Sequence, residues 1–334
     1  MAPPEDGNEY LPFAELMAIE KINSVTYRSI AKPFSPGGFG RAYGGHVYAQ
    51  AVWAAAQTVP EGFVVHNATG WFILGGLLTV PFVYVVELIR DGGSYCTRTI
   101  NVTQAEGKGI CFTCTCSFKR AEQSPLDVQE TIDIWDKYAV ALEGKKEEDW
   151  PEAPAADMPL YWNRMKATGY NDPFPGVDTR KVDMHRYNDP LTPFARRQLH
   201  FYRVIGDLPE TANPNLHACA HLYTSDRNSL FIVANHLEVG DMFHQVGSIA
   251  HTVVFHTPVE DLLMQRGDEK VWFCKEDWTT RAAGGRGMHH SRLIGRDGRH
   301  LGTTWQEGMV RIGRDIDDQA EGMSKLRYLV KGKL

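Results

Sequence analysis

The sequence predicts an α+β fold of two tandem units, each a long helix wrapped by an antiparallel sheet, and three observations predict it. A breaker-free, small-residue stretch followed by strand-like runs occurs twice, in the same order. In each half the last two runs flank a Gly-containing turn, the mark of an antiparallel hairpin. The length of 334 residues suits about two domains of roughly 150 residues each.

In the first half the Ala-rich stretch Gly44 to Gln57 is expected to be a buried helix. Strands are expected over Val64 to Ile73, Val80 to Leu88, Tyr95 to Gln104 and Ile110 to Phe118, with Ala105 to Lys108 as the last turn. In the second half the helix is His217 to Asp226. Strands follow at Ile249 to His256, Lys270 to Lys275, Gly287 to Ile294 and Leu301 to Arg311, with Gly295 to Gly298 as the turn. A shift of 191 positions lays Gly93 on Gly284, Gly107 on Gly298 and Arg120 on Arg311, which reads as a duplicated unit. The expected division is an N-terminal unit over 1–120, a linker over 121–180, a C-terminal unit over 181–315 and a tail over 316–334. Glu143 to Pro154 is charged and Pro-rich, as in an exposed connection. Val182 to Met184 and Arg197 to Val204 are expected to restart the sheet.

Hydrophobic residues make up 43% and charged residues 23%, the balance of an ordinary folded protein. A net charge of -6 argues against nucleic acid as a partner, because neutralising phosphates needs an excess of Lys and Arg. The polar, acidic start lacks the basic and apolar regions of a signal peptide. No stretch approaches the roughly 18 apolar residues of a membrane span, so an intracellular protein is expected. Cys111, Cys114 and Cys116 lie on one predicted strand, where Cys111 and Cys114 would face opposite sides and could not easily share a metal. His217 and His221 stand four apart on a helix, but no third ligand accompanies them, and packing is the expected role. Of His289 and His290, at most one can face any site. No metal is expected.

Several segments point further. Gly44-Gly45-His46 with Gln50-Ala51 and Ala54-Ala55, then Glu87 to Ser94, open the first half. Tyr223-Thr-Ser-Asp226, Ser248 to His256 and Gln306 to Arg311 follow in the second. In this order they resemble the acyl-CoA thioesterase II family of double hot-dog enzymes, over roughly residues 12 to 120 and 180 to 312. The resemblance implies hydrolysis of acyl-CoA to free acid and CoA with no cofactor, in a double hot-dog fold. It places the family's aspartate on Asp226, its hydroxyl on Ser248, where threonine is common, and its glutamine on Gln306.

These residue types fit water activation. A thioester carbonyl is electrophilic enough for direct attack by water if a base takes the proton, an effect worth about 10²–10⁴ in rate. Ser248 and Gln306 would orient that water and the carboxylate. Backbone N–H groups at Gly44, Gly45 and His46 would meet the oxyanion. The first unit is expected to be inactive, with Trp53, Val65 and Thr115 in place of Asp226, Ser248 and Gln306.

In the first half the family's His, Arg and Pro become Thr69, Leu74 and Gly75. Because CoA is polyanionic, Arg281, Arg286, Arg292, Arg296 and Arg299 are the expected CoA contacts. Two other readings are an enoyl-CoA hydratase of the same fold and a non-catalytic acyl-CoA-binding protein. Exposed sheet edges suggest a homodimer. The ending Gly332-Lys333-Leu334 is similar to a Ser-Lys-Leu peroxisomal address.

Overall fold

One antiparallel sheet of twelve strands runs through the computed structural model, which describes residues 11–169 and 172–312. The N-terminal unit contributes β1 (Ile19–Lys21), β2 (Thr26–Ser29), helix α1 (Gly44–Ala56), β3 (Phe63–Phe72), β4 (Val83–Asp91), β5 (Tyr95–Thr103) and β6 (Ile110–Arg120). Helix α2 (Pro159–Thr168) lies between the units. The C-terminal unit contributes β7 (Val177–Lys181), β8 (Gln198–Val204), helices α3 (Pro214–Ser225) and α4 (Ser229–His236), then β9 (Phe243–Phe255), β10 (Phe273–Ala283), β11 (Arg286–Ile294) and β12 (His300–Ile312). The strand order is β1-β2-β4-β5-β6-β3-β9-β12-β11-β10-β8-β7. The Gly332-Lys333-Leu334 ending lies outside the described residues.

The two halves meet at β3 and β9 around an approximate two-fold axis. Thr69 pairs with Thr252 there, and their hydroxyl oxygens stand 3.0 Å apart. Helices α1 and α3 pack against each other and against the sheet and are buried nearly all round, as expected of helices enclosed by sheet. Small residues in both let their backbones approach each other.

The strand ladders correct the internal alignment. Arg98 pairs with Cys116 as His289 pairs with Gln306, and Phe118 pairs with Val65 as Gly308 pairs with Ser248. Val65 therefore stands where Ser248 does, as expected. Cys116, not Thr115, stands where Gln306 does. The first hairpin loop, 104–109, is one residue longer than the second, 295–299. A single shift of 191 consequently fails beyond the turn.

Three other expectations change. Residues 121–180 are not an exposed linker: Ile134, Tyr138, Leu142, Trp150, Ala155 and Met158 are buried, most of them in a second core with Leu199, Phe201 and Ile294. The strand expected near Lys270 starts at Phe273 and continues to Ala283. The C-terminal sheet restarts at Val177–Lys181 rather than at Val182. Among the described residues no helix is long and apolar enough to cross a membrane.

Candidate active site

Asp226 ends α3, and three segments from both units converge on it. Gln306 of β12 donates through Nε2 to Asp226 Oδ1 at 2.6 Å and to Ser248 Oγ at 2.7 Å. Ser248 of β9 donates in turn to Asp226 Oδ1 at a longer 3.4 Å. The start of α1, from the other unit, closes the second side. Burial pushes the Asp226 carboxyl above its ordinary value, while Gln306, the Gly45 N–H, Lys275 and Ser248 pull it back. The C-terminus of its own helix disfavours a carboxylate; the N-terminus of α1 facing it offsets that field.

Two glycines make this meeting of helices possible. A Cβ on Gly45 would come within 2.5 Å of the Tyr223 carbonyl oxygen, and one on Gly44 within 2.9 Å of Asp226 Oδ2 and 2.8 Å of Phe72. Tyr43 Oη donates to the same Tyr223 carbonyl at 2.6 Å, satisfying one of the carbonyls a helix end leaves unpaired.

Asp226 and Ser248 open into a cleft of about 710 Å³. Phe72, Phe112 and Phe174 form much of its apolar wall. Gly44 lines it, while the Gly45 N–H is already directed at the carboxylate. The His46 ring does not face the cleft. It is fully buried against Phe34 and Phe82, and desolvation lowers its pKa to about 4.

The five arginines do not gather into one patch. Arg286 starts β11 and pairs with Glu307, whereas Arg296 and Arg299 lie in the turn beyond its other end. Arg292 pairs with Glu276 and Glu130, Arg296 with Glu147 and Glu269, and Arg299 with Asp261 and Asp297. Arg281 sits at the bulge of β10. Among the described residues lining the cleft, Arg41 is the only Lys or Arg, and it was not foreseen. It lies where a Cβ on Gly75 would stand, 2.7 Å from its Cδ. Glycine at that position leaves it room.

Several other histidines and thiols engage partners away from the cleft. His217 accepts from the Met264 N–H and His221 bonds Tyr202 and the Leu262 carbonyl. Cys114 and Cys116 share the inner face of β6, where they neighbour Cys219 of α3, and burial raises the Cys116 thiol pKa. His289 faces inward to Asp277, and His290 stacks on Trp278 outside. Asp277 also bonds His200. This Asp–His grouping is wholly buried and carried on strands, and none of its members lines the cleft.

Two helices back to back inside one continuous sheet define a double hot-dog protein. The families "Acyl-CoA thioesterase N-terminal domain" and "Acyl-CoA thioesterase C-terminal domain" match residues 30–119 and 148–310. The chain belongs to this acyl-CoA thioesterase family and is a thioester hydrolase. It is 25% identical over 311 residues to "Acyl-CoA thioesterase 2" of Haemophilus influenzae, covering 89% of this chain and 96% of that one. It is 28% identical over 282 residues to human "Acyl-coenzyme A thioesterase 8", covering 83% of each. The structure of acyl-CoA thioesterase II TesB2 from Mycobacterium marinum superposes with a TM-score of 0.66 at 25% identity, covering 90% of this chain and 99% of that one. A hot-dog protein from Alicyclobacillus acidocaldarius shares the fold at a TM-score of 0.65 and 16% identity, covering 90% and 98%.

Proposed function

We propose that the enzyme hydrolyses acyl-CoA by direct attack of water, with Asp226 as general base and no covalent acyl-enzyme. The observation that carries this reading is the hydrogen-bonded trio of Asp226, Ser248 and Gln306 opening into an apolar cleft. A water lodged against the carboxylate would be deprotonated as it attacks the thioester carbonyl, and the CoA thiolate would leave. Gln306 and Ser248 hold Oδ1 in one orientation, so the base reaches attack geometry without rearranging. The Gly44 N–H, on a helix start at the cleft wall, would meet the developing oxyanion.

Arg41 supports the CoA end of this reading: a guanidinium at the cleft wall suits phosphate oxygens. It replaces Arg281 of β10 and the four arginines of the β11–β12 hairpin as the favoured contact. Homodimerisation is a separate part of the proposal, supported by exposed Val85, Leu88, Ile89 and Tyr95 on β4 and β5, and sedimentation would decide it.

The test is hydrolysis of a panel of acyl-CoA esters, followed by thiol release, then one turnover in water carrying heavy oxygen. The expected result places the label in the product acid and none in the protein. Label found in the Asp226 carboxyl would replace this reading with a covalent anhydride route.

A further inference from the structure

Behind Asp226, on the face away from the cleft, lies a set of ionisable groups that the water-activation scheme does not use. Lys275 of β10 is 1% exposed, and its ammonium donates to the Arg227 carbonyl at 2.7 Å. Arg227 is the residue that follows Asp226. Lys275 Nζ also stands 3.4 Å from Asp277 Oδ1. Asp277, fully buried, is met by His200 Nδ1 at 2.8 Å and His289 Nε2 at 2.9 Å.

We propose that Lys275 is a positioning residue of this site: it ties down the chain just past Asp226 and keeps a buried positive charge behind the carboxylate. Asp277, held by His200 and His289, is its counter-charge. The inference rests on the reading of Asp226 as base.

The duplicated unit supplies an internal comparison. By the strand ladders, Lys275 corresponds to Tyr84, Asp277 to Val86, and His200 to Tyr27; His289 corresponds to Arg98. The same fold thus solves the same positions with two tyrosines and a valine in the unit that lacks the trio. Burying an ammonium and a carboxylate costs several kcal/mol per ion before their attraction is counted. At the Lys275 and Asp277 positions an uncharged packing is evidently available to this architecture, although the counterpart of His289, Arg98, is itself buried and paired with Asp91; the buried Lys–Asp pair occurs in the unit that carries Asp226.

The other groups around Asp226 do not supply that charge. Tyr43, Tyr48 and Tyr223 have phenol pKa values pushed up by burial and stay neutral. His251, hydrogen-bonded to Ser225 Oγ, is lowered by burial to about 3 and is also neutral. The Arg227 guanidinium turns away, lying 3.7 Å from the Phe174 ring centroid and donating to the Ala153 carbonyl at 2.8 Å.

The test compares wild type with Lys275→Met and Lys275→Gln, recording kcat and KM against pH. Gln keeps a donor for the Arg227 carbonyl, so it isolates the charge, and it also serves if Met disturbs folding. Both variants are expected to move the acid limb of kcat/KM upward by about one pH unit, with KM changed less than about twofold. A cooperatively melting Lys275→Gln enzyme whose acid limb stays in place, even with activity lowered evenly across pH, overturns the proposal. Asp226→Asn separates the two levels. If that variant is inactive while the limb in Lys275→Gln is unmoved, only Lys275 loses its role; if it is active, the base assignment itself fails.

Discussion

Replacing Asp226 with Asn removes the base while nearly preserving its shape. The Asn oxygen can keep the bonds from Gln306 Nε2, at 2.6 Å, and from Ser248, at 3.4 Å. Its amide would then face the Gly45 N–H, donor against donor, at a cost of about 1–3 kcal/mol for the pairing lost. Against that, a buried charge disappears. The folded-state pKa of Asp226 is raised above its ordinary 3.8, so ionisation costs stability as pH rises through that ordinary value, and Asn escapes the cost at neutral pH. The two effects oppose, and the melting temperature should stay close to that of wild type. The rate should not: loss of the base predicts a fall of about 10²–10⁴ in kcat, or about 3–5.5 kcal/mol of barrier. The assay is thiol release across pH. Wild type should lose activity on acidification at a pH above 3.8, the ordinary aspartate value, and the variant should lack that limb. A folded Asp226→Asn enzyme keeping more than about a tenth of wild-type kcat refutes the reasoning.

Three further outcomes follow from the geometry. Gln306→Ala should lower kcat more than Ser248→Ala, roughly a hundredfold against tenfold, because Gln306 makes the 2.6 Å contact and Ser248 the 3.4 Å one; steady-state kinetics would show the order. Arg41→Ala should raise KM for acyl-CoA about threefold to tenfold in a salt-sensitive way, and leave KM for a short thioester lacking the phosphates unchanged. Gly45→Ala should destabilise the fold by about 1–3 kcal/mol, read by denaturant unfolding, since its methyl carbon would lie 2.5 Å from the Tyr223 carbonyl oxygen.

What was legible in the sequence follows physical lines. The helices and most strands were legible because each has one buried face or is buried throughout, and hydrophobic patterning records burial. The trio was legible through the resemblance to the thioesterase II family, which put its aspartate, hydroxyl and glutamine on Asp226, Ser248 and Gln306; the residue types alone would equally suit a structural role. The match of Cys116 to Gln306 was not, since one extra loop residue changes which strand face a position occupies. The arginine grouping failed for a related reason: residues close in sequence on a hairpin are spread along extended strands, and acids distant in sequence neutralise most of them. For His46 the expectation concerned the backbone N–H at the helix start, and the burial of its ring leaves that expectation untouched. Arg41 and Lys275 left no local signal. Gly75 is brought to Arg41, and Arg227 to Lys275, by the fold.

The approximate two-fold also gives a physical reason for the expectation of one site per chain. Applied to the pairing of the α1 start with the α3 end, the same symmetry would set the start of α3 beside the end of α1, next to Val65 and Cys116. At the α3 start, Asn215 Oδ1 accepts from the Val65 N–H at 2.8 Å, and its Nδ2 donates to the Phe63 carbonyl at 2.9 Å. Where α1 presents glycines to a carboxylate, α3 presents an amide that ties itself to a strand. With valine in place of serine and a buried thiol in place of glutamine, the second position lacks the hydroxyl and the amide that bond Asp226 in the first. Restoring it would take the helix start as well as the side chains. Val65→Ser with Cys116→Gln should therefore yield no added turnover over the background of Asp226→Asn, and any gain there would show that side-chain identity alone makes the site.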